Sequence, residues 1–142
     1  MGLSSGGVAN KSRTKFEIET IPGQTIGSLQ RFYRLFICFN SQRDSWKQTC
    51  RPIIGVDGAF LNWDVKGHLL AATGRDGDNR LVPIAWAVVE IENDDNWDWF
   101  IRMLTTTLDL QDGSNVAIIS DKLAVSIFTI LTHSVFFFFS KY

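Results

Sequence analysis

The alternation of apolar and polar positions divides the chain into a run of short elements. Residues 52–61, PIIGVDGAFL, set a β-branched stretch before Asp57-Gly58 and more apolar residues, which predicts a strand. Residues 68–73, HLLAAT, and 81–90, LVPIAWAVVE, predict two more. The GRDGDNR segment between these two is rich in residues that tolerate positive φ, so it should close an antiparallel hairpin. Pro83 cannot donate to a ladder and is expected at an edge or a strand start. Trp97, Phe100, Ile101, Leu104 and Leu108 then recur at helical spacing behind Asn93-Asp94-Asp95-Asn96, which offers N-cap side chains. Asp112-Gly113 should end that helix. Residues 116–119, VAII, read as a buried strand closed by Ser120-Asp121. Residues 1–28 carry Gly, Ser and the turn signal Pro22-Gly23 and read as a flexible leader. The segment 29–39, LQRFYRLFICF, suits a helix face or a strand equally well.

Three strands, a hairpin joining the second and third, then a helix and a further strand with an acid at its end make the opening of an RNase H-like domain. That is an α/β fold with a mixed sheet. At 142 residues there is room for one core, and 45% hydrophobic residues describe a chain that folds. Charge changes this picture only in its distribution. Residues 1–51 hold eight Lys/Arg against three Asp/Glu, and 52–142 hold six against twelve. A basic arm could touch phosphates while the acids hold cations, or it could be a solvated leader. Cys38 and Cys50 are too few for a disulfide framework and fit no zinc spacing, as expected of a reducing compartment.

Two acids stand out as candidate chemistry. Asp57 falls inside an apolar strand, where an uncompensated carboxylate would carry a large desolvation cost and so needs a cation, hydrogen bonds or an edge position. Asp121 follows four apolar residues at the mouth of the same expected sheet. Two carboxylates brought together there repel, and Mg²⁺ or Mn²⁺ relieves the repulsion through hard oxygen ligands. The alternatives are a turn Asp in Asp57-Gly58 and a strand-end Asp capping a helix.

CRPIIGVDGAFL, KGHLLAATGRDGDNRLVPIAWAVVEIENDDNWDWF and VAIISD, in this order and spacing, resemble the transposase domain of plant Mutator-like elements. The resemblance runs from about Phe32 to Asp121 and stops near Lys122. It implies that Asp57 and Asp121 are the first two acids of a DDE triad with Mg²⁺ or Mn²⁺ as cofactor. It also implies DNA with terminal inverted repeats as partner, cut-and-paste transposition as activity and, for a working chain, the nucleus as location. Self-association is compatible with it. The family's third acid, a later Glu, has no counterpart, since no Asp or Glu follows Asp121. The expected organisation is therefore a leader over 1–28, the front part of the transposase domain over 29–122 and a hydrophobic tail over 123–142. The expectation is a fragment truncated after the second acid and inactive alone. A non-catalytic DNA- or protein-binding regulator is the other reading of such a domain.

Other motifs fall to ordinary readings. Asp76-Gly77-Asp78-Asn79 has Ala87 where a calcium loop needs a bidentate Glu, so it reads as a turn. Gly2 and Gly7 have phosphate-loop spacing, but Val8 stands where Lys is required. His68 and His133 lack partner ligands, and Trp97 and Trp99, which could stack bases, read as core because Trp97 lies on the predicted helix stripe. Residues 123–139 carry no formal charge over a length at the lower edge of a membrane span. A tail anchor, a translated intron and a packed helix all fit that stretch.

Overall fold

The computed structural model describes residues 13–62, 64, 66–110 and 116–120, and the backbone of 135–139. The elements in chain order are β1 (Lys15–Ile21), β2 (Arg31–Cys38), α1 (Asn40–Thr49), β3 (Ile53–Asn62), β4 (Lys66–Arg75), β5 (Leu81–Val89), α2 (Asp94–Thr107), β6 (Val116–Ser120) and β7 (Val135–Phe139). The strands form one mixed sheet in the order β1-β2-β5-β4-β3-β6-β7. β3, β4 and β5 are antiparallel neighbours, while β6 runs parallel to β3 and β7 parallel to β6.

Alternation along the strands assigns each residue to a face. Phe36 of β2 meets Trp99 and Phe100 of α2, with ring centroids 6.3 and 5.9 Å apart. The cross-strand registers carry that face through Ala87, Leu70, Gly58, Val56, Ile54 and Ile118. All but Gly58 belong to the buried apolar core, together with Phe100, Ile101, Leu104 and Leu108 of the α2 stripe. α1 reaches the same face through Trp46, which lies over Gly74 so closely that a Cβ there would stand 2.5 Å from the indole Cδ1.

The β4–β5 hairpin closes as its sequence predicts. Asp76 accepts from the backbone N–H groups of Asp78 at 3.0 Å and Arg80 at 2.8 Å, and Asn79 takes φ 66°. The Asp76 carboxylate thus serves the turn. Ile84 is an extra residue between the pairs Ala72↔Ala85 and Thr73↔Pro83. This bulge turns two consecutive side chains, Ile84 and Ala85, inward. β2 pairs with β5 only from Trp86 to Val89, so Pro83 sits where that flank of β5 has no ladder from β2 to supply.

The structure changes two expectations and narrows two open readings. Residues 15–21, read as part of a leader, form β1, paired with β2 along its length with one register shift between Glu19 and Thr20. Segment 29–39 resolves to strand β2, because its alternation places Phe36 and Cys38 in the core and Leu35 and Ile37 on the other face. α2 ends before Asp112-Gly113, which lie outside the described residues. Its terminator is Asp109, at φ 55°, with Leu110 N–H donating to Thr105 O at 3.0 Å and Asp109 N–H to Thr106 O at 3.2 Å. This is the Schellman geometry with Asp in the left-handed position usually held by Gly. Of the tail, residues 135–139 are an extended strand rather than a helix, and 123–134 and 140–142 lie outside the described residues. Among the described residues no helix is long and apolar enough to cross a membrane.

Candidate functional site

Asp57 lies near the middle of β3, opposite Ala71 of β4, on the face that α1 and α2 leave uncovered. Its floor is made of small neighbours: Gly55 and Ala59 along the strand and Ala71 across it. The carboxylate is exposed, so the desolvation argument for a bound cation does not hold. The apolar residues around Asp57 in sequence point to the opposite face. One oxygen accepts the Gly58 N–H at 2.8 Å, and no ion-pair partner faces the carboxylate among the described residues.

The Asp57-Gly58 pair is strand, not turn, and each member serves a different face. Glu92 follows β5 and reaches the covered side of Gly58, where a Cβ would stand 2.7 Å from Glu92 Oε1. That carboxylate also accepts from Trp97 Nε1 at 3.2 Å, which ties the start of α2 to the middle of β3. Glycine here leaves room for a carboxylate, and nothing in the sequence spacing announces the contact.

Asp121 lies outside the described residues. β6 is described as far as Ser120, and its register against β3 ends at Gly55↔Ile119. Asp57 and Asp121 are each two positions beyond that pair. Among the described residues, no three His, Cys, Asp or Glu side chains gather into a metal-binding group.

The other singled-out residues are structural. Trp97 and Trp99 are both buried, and Trp99 carries the Arg34 guanidinium 4.3 Å from its ring centroid. Arg34 also donates to Glu19 at 2.7 Å and to the buried Asn96 at 3.3 Å, a charge held on several partners at the β1–β2–α2 junction. Asn96 is held on both sides, with its Nδ2 donating to Ile91 O at 2.8 Å and its N–H to the N-cap Asn93 at 2.9 Å. His68 packs against Phe60 with the rings tilted and their centroids 4.5 Å apart, and its buried Nδ1 has no hydrogen-bond partner among the described residues. His133 lies outside them. Cys38 is a core thiol whose Sγ lies 3.3 Å from Ile84 O. Burial pushes that thiol up from its ordinary value, Arg43 pulls it down and Asp44 raises it. Cys50 is also a free thiol.

The chain is thus an α/β domain with one sheet face sealed by two helices and an exposed acid in mid-strand on the other. The family model of the MULE transposase domain matches residues 53–133, more than half of the 142 residues, and the chain belongs to that family. The match starts at Ile53 rather than Phe32 and continues past Lys122, where the motif resemblance stopped. The quoted motifs end at VAIISD, so the later positions carry family pattern without a short signature. No curated protein and no solved structure matches the chain.

Proposed function

We propose that this chain is a DNA-acting transposase domain of the RNase H-like type, with Asp57 and Asp121 as two of the carboxylates that hold Mg²⁺ or Mn²⁺. The observation that carries the reading is the parallel β3–β6 register on the open face, reaching Gly55↔Ile119 two positions before each acid. The order of three antiparallel strands, a helix and a strand returning beside the first supports the fold assignment.

The donor chemistry fits a hard divalent cation, since Asp57 offers an exposed carboxylate with one oxygen oriented by its neighbour's N–H. Ions held there would supply activation of a water or 3′-hydroxyl and charge stabilisation at the leaving oxygen of a phosphodiester. Asp57 fixes one side of the site on a strand held by neighbours at both edges, and its small floor leaves space above the sheet. DNA with terminal inverted repeats is the proposed substrate.

Thermal melting with added Mn²⁺ or Mg²⁺ tests this reading. An ion at about a hundredfold excess over its dissociation constant stabilises a one-site protein by ~2.7 kcal/mol, a rise of several degrees in Tm. The wild-type chain should show the rise, and D57N and D121N should lose it. An equal rise in D57N, or none in the wild type, sinks the metal site. DNA binding that persists without any metal response would favour the regulatory reading.

A further inference from the structure

The open face carries a second feature, next to Asp57 on the same strand. A cavity of about 360 Å³ is lined by Arg51, Ile53 and Gly55 at the entry to β3, and by Thr73, Gly74 and Arg75 at the end of β4, with Leu81 and Ile119 completing it. Arg51, Ile53, Gly55 and Asp57 are alternate positions. At roughly 3.3 Å per residue the cavity floor at Gly55 lies about 7 Å from Asp57. The cavity therefore opens beside the candidate acid.

Its chemistry is divided. Ile53 and Leu81 are exposed apolar side chains, 40% and 59% accessible, beside Ile119. Two arginines accompany them, and their backbones are locked together by the Arg51 N–H donating to Arg75 O at 2.9 Å. Arg75 Nη1 donates only to a neutral acceptor, Asn79 O, at 2.9 Å. Neither guanidinium has a carboxylate partner among the described residues, although acids outnumber bases two to one from residue 52 onward. Uncompensated arginines beside an apolar hollow suit a ligand with a phosphate and a flat, weakly polar body.

We propose that this cavity binds one nucleotide of the DNA strand leading to Asp57, with Arg51 and Arg75 on its phosphate and Ile53, Leu81 and Ile119 against its base or sugar. The inference rests on the DNA-acting role above. It adds a substrate-positioning site that the two acids do not supply.

The test is binding of a short fluorescent single-stranded oligonucleotide to the full chain across a salt series, without divalent ions. Each phosphate neutralised contributes about 0.7 to the slope of log K against log salt on single strands, so R51A/R75A, which removes both cations from the one phosphate, should lower the slope by about 0.7. R51K/R75K should keep most of it. G55L retains both arginines but fills the floor, where a Cβ meets Thr73 Oγ1 at an ordinary 3.5 Å, and should weaken binding at least several-fold. Unchanged affinity and slope in R51A/R75A, or unaffected binding in G55L, overturns the proposal while DNA binding itself stands. Absence of oligonucleotide binding by the wild type overturns it as well, and the metal response of Asp57 then reports separately on the broader reading.

Discussion

On the face that α1 and α2 cover, Phe36, Ile54, Leu70, Ala72, Val89 and Ile118 are sealed from solvent. One residue away along the same strands, Leu35, Gly55, Asp57, Leu69, Val88 and Ile119 stay half-buried or exposed. The difference separates two tasks that a strand can carry at once. In the first half of β3, Ile54 and Val56 supply the core, and the odd positions supply an acid and the approach to it. Gly58 is where the two tasks touch, since its missing side chain admits Glu92 from the covered side directly behind Asp57.

The comparison can be broken most forcefully at Phe100. F100A should cost about 3–5 kcal/mol in chemical denaturation, whereas V88A on the open face should cost about 1 kcal/mol or less. Equal losses would mean that the open face is as sealed as the other. G74A drives a methyl into the Trp46 ring and should cost about 1–3 kcal/mol through overpacking, with α1 lifting from the sheet. A loss confined to unfolding signals from Trp46 would place the damage at α1. N93A removes the side chain that accepts the Asn96 N–H, and should cost about 1 kcal/mol. D57N is the smallest step: in the absence of divalent ions it should alter stability by no more than about 0.5 kcal/mol, because the carboxylate is solvated. A larger destabilisation would show that Asp57 supports the fold instead of standing free for a ligand.

Where the sequence was legible, one face dominated the pattern. The stripe Trp97, Phe100, Ile101, Leu104 and Leu108 is the buried side of α2, and the hairpin residues Asp76 to Asn79 make the turn their chemistry suggests. β1 escaped because its alternation is inverted: Phe16 and Ile18 are exposed while Glu17 and Glu19 occupy the half-buried phase. α1 escaped because Trp46 is its single buried residue and its N-cap, Phe39, makes no side-chain bond. Asp57 stands out as a motif, but its exposure does not, because the apolar residues flanking it alternate to the other face. The arginines of the cavity carried no short motif, since Arg51 and Arg75 meet only through pairing of segments distant in sequence.

β1 closes one end of the sheet, and an end strand exposes a row of backbone groups to any chain that can add to it. The inverted alternation that hid this strand also protects it. Glu17 and Glu19 face the protein side, Lys15 pairs with Glu17 at 3.2 Å, and a register shift falls between Glu19 and Thr20. An incoming strand would have to bury those charges and match an irregular ladder while Phe16 and Ile18 invite it from the other side. Two glutamates at this rim of the sheet thus oppose strand addition where the backbone would otherwise favour it.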